Sequence, residues 1–144
     1  MTKENDFVKS LAEYQCKVLE IGKGFKSNTM LYRGQNDAGF KVESGMYRRI
    51  PAAKKSGFTE KEMLHYYIKS HVKLINDAKK SIQSHTIMNG MSDLEILAEL
   101  QHYSAGTCLI DFTMNAFVAL YFACDNKSTD GKVFCLDKLK IRLD

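Results

Sequence analysis

Residues 100–124 constrain the fold of this chain more than any other part of its sequence. They combine a helix end, a short apolar run and the start of a second apolar helix, with almost no spacer between them. Four polar side chains able to bind a ligand or move a proton are embedded there: Gln101, His102, Asp111 and Thr113. Because the surrounding run is too apolar for a surface loop, we expect the core to hold these side chains rigidly.

The composition fits one globular domain. With 144 residues, of which 44% are hydrophobic and 26% charged, the chain can bury roughly two-thirds of its unfolded surface around one core. It has no signal-peptide segment and no run of about 18 apolar residues. We therefore predict a single domain over residues 1–144, located in the cytoplasm and with no membrane partner.

The four cysteines predict neither a zinc site nor a redox motif. Cys16, Cys108, Cys124 and Cys135 are far apart and form no Cys-x-x-Cys pair. We predict buried free thiols and no metal site.

Helix starts are the clearest local signals. Apolar residues at three-and-four spacing predict a first helix over residues 5–22. Thr59 with Glu62, and Ser92 with Glu95, have the spacing of capping boxes and predict helices over residues 59–81 and 93–103. Asn115 can cap a fourth helix.

Short β-rich segments alternate with these helices. Residues 29–33, 107–111 and 132–136 are predicted strands, and a further strand near residues 40–43 is left open. Gly45 then leads into a basic loop around Pro51. The order of elements indicates an α+β fold, with a small mixed sheet on which about four helices pack.

Arg33 is the first candidate binding residue. At the end of a strand beside Gly34, its guanidinium can project into a cleft, and the missing side chain of Gly34 lets a ligand approach the backbone. The alternative is a structural arginine paired with Asp111 or with a helix C-terminus. Asp111 needs a cation or donors if it is buried, or else it caps the next helix, and Thr113 can cap or bind.

Gln101 and His102 lie on the last turn of the third predicted helix. Both side chains can face the cavity that Arg33 faces, and His102 is a weak candidate for a general acid or base. A hydrogen-bonded structural histidine is the alternative.

The formal net charge of +4 is modest, but basic residues cluster at Arg48, Arg49, Lys54 and Lys55. Either they form a solvated loop, or they form a patch that binds the phosphates of a nucleic acid.

Two separated blocks resemble the FRG domain family. Tyr32-Arg33-Gly34-Gln35 matches the aromatic-Arg-Gly motif, and residues 100–103 and 113–123 match the later block, so the resemblance covers about residues 30–137. Where the family has Gly-x-Pro-Thr-Arg, this chain has Ser104-Ala-Gly-Thr-Cys108, and Phe112 replaces a Trp. The resemblance implies a toxin-like or defence-associated protein.

The FRG layout is in turn similar to the ADP-ribosyltransferase fold, of which this chain would be the front part. That similarity implies NAD as the cofactor, bound at Tyr32-Arg33-Gly34, and a catalytic Glu on a later strand. The last glutamate of this chain is Glu99. The chain is therefore either the front part of a longer FRG protein or a protein without transferase activity.

We expect a module that binds a phosphate-bearing nucleotide in a cleft. Its ligand-binding residues are Tyr32, Arg33, Gly34, Gln35, Gln101, His102, Asp111 and Thr113. The alternatives are a nucleic-acid-binding module using the basic residues at positions 48–55, and a protein-interaction domain in which the motifs only maintain the fold.

Overall fold

The computed structural model describes residues 7–26, 29–51, 57–82, 90–125 and 128–140. In chain order its elements are α1 (Leu11–Gly22), β1 (Met30–Gln35), α2 (Gly45–Arg49), α3 (Glu60–Ile82), α4 (Asp93–His102), α5 (Ala116–Ala123), β2 (Lys132–Asp137) and a 3₁₀ helix (Lys138–Lys140). The predicted α+β class is confirmed.

The chain divides into two compact units. Residues 1–40 and 111–144 form the first, here called the sheet unit, and residues 41–110 form the second, here called the helical unit. Each unit is described by itself.

In the sheet unit, β1 and β2 pair antiparallel, with Met30 opposite Asp137 and Gln35 opposite Lys132. An isolated bridge adds Thr113 to the other edge of β1, where Thr113 and Tyr32 exchange backbone hydrogen bonds of 2.7 and 2.8 Å. The buried hydrophobic residues of this unit are Tyr14, Tyr32, Ala119 and Ala123. Both small alanines lie on α5, so this helix can pack closely against other backbone.

In the helical unit, Ser44 caps α2, since its hydroxyl oxygen accepts a hydrogen bond from the N–H of Tyr47. A backbone bond of 2.9 Å from the Met46 N–H to the Thr107 carbonyl ties α2 to the segment after α4. The buried hydrophobic residues are Met46, Ile50, Ile75, Ile96 and Leu97. One core thus draws on all three helices of the unit.

Several local predictions were wrong. The predicted strand at residues 107–111 is irregular, and the basic loop after Gly45 begins with the short helix α2. Residues 40–43, for which the sequence leaves a strand open, are irregular too. In the described part of the chain the sheet has two antiparallel strands and is not mixed. The backbone at residues 107–111 does not pair as a strand: the Thr107 N–H bonds to the Ala105 carbonyl, and the Thr107 carbonyl accepts from the Met46 N–H.

The cysteines are free thiols, as predicted, but they are not buried. Cys16, Cys124 and Cys135 are exposed and Cys108 is half-buried. Among the described residues, no three His, Cys, Asp or Glu side chains are grouped as metal ligands. None of the described helices combines the length and apolarity needed to cross a bilayer.

Both predicted capping boxes are present. The Glu62 N–H donates to Thr59 Oγ1 at 3.3 Å and the Thr59 N–H donates to Glu62 Oε2 at 2.8 Å. Ser92 and Glu95 repeat this geometry at 3.3 and 2.7 Å. These bonds satisfy N–H groups that a helix start leaves without an intrahelical partner.

We therefore expect Thr59→Ala and Ser92→Ala each to lower the free energy of unfolding by about 1 kcal/mol. Chemical denaturation measures this directly. Ser70→Ala is the control, because Ser70 lies inside α3 and its replacement removes no cap. An unchanged midpoint in either cap variant would contradict the role of that box.

A second stability prediction concerns Tyr14, which is 6% exposed. Its hydroxyl donates to the Ala116 carbonyl at 2.7 Å and its ring packs edge-on against Phe117. Burial raises the pKa of Tyr14 to about 12. The unfolded chain loses this proton near its ordinary pKa of 10, so stability that is fully present below pH 10 is lost as the pH rises through the folded value.

Urea denaturation between about pH 9 and 12 should show this loss. The stability of the Tyr14→Phe variant should fall less steeply with pH than that of the wild type, because phenylalanine has no phenolic proton. Equal slopes would show that Tyr14 is not responsible.

Candidate functional site

Arg33 and Asp111 lie together in the sheet unit, as predicted, but through the backbone of Asp111. Arg33 Nη1 donates to the Asp111 carbonyl at 2.8 Å. Asp111 is exposed and belongs to no strand. The expectation of a buried carboxylate at the end of a buried strand is therefore wrong, and the bond instead fixes the direction in which the half-buried Arg33 side chain points.

Thr113 holds the segment after Asp111 against the sheet. Besides its backbone bridge to Tyr32, its Oγ1 accepts a hydrogen bond of 3.1 Å from the N–H of Asn115. Asn115 caps α5 as predicted, because its Oδ1 accepts from the Phe117 N–H at 2.9 Å. Thr113 thus sets the turn from which both Asp111 and α5 are positioned.

Gly34 lies directly beneath α5. A Cβ added at Gly34 would lie 1.8 Å from the carbonyl oxygen of Ala119 and 2.8 Å from the backbone nitrogen of Ala123. From the sequence we expected the missing side chain to admit a ligand. In the structure the helix backbone occupies that space, so the motif glycine is needed for packing.

The opposite face of the sheet carries the polar motif residues. Arg33 and Gln35 alternate with Tyr32 and Gly34 along β1, so the two pairs point to opposite faces. Residues directly opposite in the register share a face, and Arg33 is paired with Phe134 while Gln35 is paired with Lys132. One face therefore presents Arg33, Gln35, Phe134 and Lys132, here called the motif face.

We did not predict Lys132 or Phe134 as site residues from the sequence. The ammonium of Lys132 lies over the ring of Phe134, 5.6 Å from its centroid, and Lys132 is exposed while Phe134 is half-buried. Lys132 lies diagonally across the strand pair from Arg33, a position that puts their Cα atoms about 7–8 Å apart. The strand at residues 132–136 was predicted, but only its register with β1 reveals that it supplies a second cation.

Gln101 belongs to the helical unit and holds a turn. The hydroxyl of Thr107, which is fully buried, donates to Gln101 Oε1. The bond links the last turn of α4 to the irregular segment that follows it. This structural role of Gln101 was not predicted from the sequence. Its participation in a shared ligand site with Arg33 stays a prediction.

His102 is exposed at the last turn of α4 and packs edge-on against the Tyr103 ring, with centroids 5.5 Å apart. The next residue but one, Ser104, has a φ of 65°, the left-handed conformation that usually ends a helix and favours glycine. Backbone bonds of 2.9 Å from Ser104 to Gln101 and from Ala105 to Leu100 complete this Schellman ending. The FRG block has glycine at this position.

The basic residues of the alternative site are only partly described. Arg48 and Arg49 end α2 and are exposed, whereas Lys54 and Lys55 lie outside the described residues. Arg49 donates from Nη2 to the Ser104 carbonyl at 2.7 Å, and its guanidinium lies against Gly106. Arg49 thus anchors the loop after α4.

The comparisons with known proteins give one match. The model of a protein family described as the FRG domain matches residues 28–132, a span that includes β1, α5 and the first residue of β2. No curated protein and no solved structure matches the chain.

Proposed function

This chain belongs to the FRG domain family, and from that premise we propose that it binds a phosphate-bearing nucleotide, with NAD as the candidate, on the motif face. The observation that carries the proposal is the pairing of two cations with one aromatic ring on a single sheet face. The register places Arg33 opposite Phe134, and Lys132 one step along the same face.

In the proposed site, Arg33 and Lys132 bind the phosphates. The guanidinium of Arg33 offers N–H donors in a fixed planar fork, which matches two phosphate oxygens. The exposed ammonium of Lys132 adds a mobile point charge suited to a second phosphate. A pyrophosphate, as in NAD, uses both cations, whereas a single phosphate uses one.

The neighbouring polar residues suit the rest of a nucleotide. The exposed carboxylate of Asp111 accepts hydrogen bonds from ribose hydroxyls, since an ionised carboxylate is an acceptor only. Gln35 also has both an amide donor and an amide acceptor, although its side chain is only 6% exposed in this structure. Phe134 offers an aromatic ring for a base.

The resemblance implies that this nucleotide binding takes place in a toxin-like or defence-associated protein. A cytoplasmic location is a separate prediction from the amino-acid sequence. Transferase chemistry is a separate step, for which the ADP-ribosyltransferase resemblance implies a glutamate on a later strand.

Isothermal titration with NAD tests the proposal. We expect saturable heat from the wild-type chain and an affinity at least about tenfold weaker for Arg33→Ala, since a hydrogen bond to a charged group contributes roughly 1.5–3 kcal/mol. Arg48→Ala is the matched control, because Arg48 is an exposed arginine of the helical unit and its loss should leave affinity unchanged.

Thermal unfolding of Arg33→Ala separates a binding defect from a folding defect. Equal NAD affinity in the wild type and Arg33→Ala would refute the proposed site. Binding of a polynucleotide that weakens steeply with salt, and that is lost in Arg48→Ala, would favour the nucleic-acid alternative.

A further inference from the structure

A cleft of about 410 Å³ lies within the helical unit, and none of its lining residues belongs to the proposed nucleotide site. Its walls include Val42, Ser44, Tyr47, Tyr67, Cys108 and Ile110. Its lining is mixed: the Ser44 and Tyr67 hydroxyls are hydrogen-bonded to each other at 3.2 Å, while Val42 and Ile110 are aliphatic. A small molecule with an apolar body and a polar end fits such a cleft.

One wall of this cleft holds a thiol beside an imidazole. Cys108 Sγ lies 3.0 Å from His71 Nδ1, and both residues are half-buried. With the imidazole proton on Nε2, Nδ1 is an acceptor and the thiol is the donor. A nucleophile within hydrogen-bonding distance of a base is the arrangement that activates weak nucleophiles.

Activation by a base matters here because the thiol does not ionise readily by itself. Burial raises the pKa of the Cys108 thiol, so at neutral pH it is protonated. A thiol of raised pKa is also the more intrinsically nucleophilic once its proton is removed. His71 can accept the thiol proton of Cys108 as the sulfur attacks.

This pair is a feature of the chain and not of the FRG motif. In the block that the sequence resembles, position 108 holds an arginine. The thiol therefore replaces a cation. A local hydrogen bond of 3.2 Å, from the Leu109 N–H to Thr107 Oγ1, holds the backbone on either side of Cys108. The thiol is thus held on a fixed segment of backbone.

We propose that Cys108 is a thiol-modification site activated by His71, and that its reactant is a small disulfide. The Cys108 proton moves to His71 Nδ1 as the sulfur attacks one sulfur of the disulfide. The S–S bond breaks, a mixed disulfide forms on Cys108, and the departing thiolate takes the proton from His71. One disulfide is consumed, one thiol is released, and His71 returns to its starting state.

The cleft favours a cationic disulfide. Glu43 also lines it and adds a carboxylate to walls that otherwise carry no charge. Cystamine, which has an ammonium group at each end, is therefore the probe of choice. The site does not depend on nucleotide binding, because it uses no residue of the motif face.

The first test uses the wild-type chain. After a short exposure to cystamine near neutral pH, the modified peptides are quantified by mass spectrometry. Cys16 is the internal comparison, because it is exposed whereas Cys108 is half-buried. We expect Cys108 to react faster than Cys16, and this advantage to vanish in denaturant. Faster reaction at Cys16 in the native chain would mean that exposure alone governs reactivity, and would overturn the proposal.

The second test isolates His71. In a variant whose only cysteine is Cys108, with Ser at positions 16, 124 and 135, His71→Gln should slow mixed-disulfide formation at least about tenfold, since a positioned base contributes 10²–10⁴-fold in favourable cases. His65→Gln is the matched control, because His65 is an exposed histidine of the same helix. An unchanged rate in a folded His71→Gln protein would overturn the role of the imidazole.

Discussion

Replacing Gly34 by alanine is expected to lower the free energy of unfolding by about 3 kcal/mol or more, at the upper end of what overpacking costs. The added methyl group would lie 1.8 Å from the Ala119 carbonyl oxygen, a distance that no pair of non-bonded atoms tolerates. The obstacle is helix backbone, which cannot rotate away as a flexible side chain does. Either α5 moves off β1 or the strand distorts.

A second glycine meets the same helix. A Cβ at Gly131 would lie 1.9 Å from the Ala123 carbonyl oxygen, just before β2 begins. The two glycines and the two buried alanines of α5, Ala119 and Ala123, therefore form one contact in which backbones approach closely. Because β1, β2 and α5 all take part, the loss at Gly34 should spread through the sheet unit.

Chemical denaturation of Gly34→Ala beside Gly22→Ala makes this a controlled comparison. Gly22 lies in the last turn of α1, and a Cβ there would meet only Met30 Sδ at an ordinary 3.9 Å. Its replacement should be neutral or stabilising by up to about 1 kcal/mol, since alanine favours helices over glycine. A Gly34→Ala protein as stable as the wild type would mean that α5 does not pack as described.

Gly34 also shows which features the sequence could reveal. The motif glycine was recognisable, yet whether its missing side chain admits a ligand or a helix depends on residues more than 80 positions away. The capping boxes at Thr59 and Ser92 were predictable because a cap is a local interaction over three residues. Contacts between distant segments leave no such local pattern.

The candidate site follows the same division. Arg33 was found from its motif, and its proximity to Asp111 was anticipated, but the partner is a carbonyl and the carboxylate is exposed. Lys132 and Phe134 became site residues only through strand register. The bond from Thr107 to Gln101 was not predictable from the sequence, because it depends on a turn that replaced the predicted strand.

The 144-residue chain is expected to bind NAD without releasing nicotinamide. Cleavage of the glycosidic bond develops positive charge on the ribose, and stabilising developing charge is commonly the largest catalytic contribution. Losing one such group costs about 100- to 1,000-fold in the oxyanion-hole case. The ADP-ribosyltransferase resemblance that the sequence predicts would imply a glutamate on a later strand, whereas the last glutamate here is Glu99, on α4 and upstream of β2.

Binding and chemistry separate because different groups serve them. In the proposed site, Arg33 and Lys132 would bind phosphates, whose charge does not change as the glycosidic bond breaks, so they would stabilise the bound substrate and the transition state alike. Uniform binding of this kind lowers KM or Kd without raising kcat. A nucleotide can therefore be held on the motif face while its glycosidic bond remains intact.

Calorimetry and a nicotinamide assay on one preparation test this separation. We expect saturable NAD binding that Arg33→Ala weakens at least about tenfold, together with nicotinamide release at the rate of NAD alone. Clear release by the wild-type chain would contradict the prediction and would identify a substitute for the glutamate. His102→Ala and Asp111→Asn would then distinguish two candidates, since His102 is the exposed residue at the end of α4 and Asp111 carries the exposed carboxylate beside Arg33. Loss of release in only one of them would assign the role.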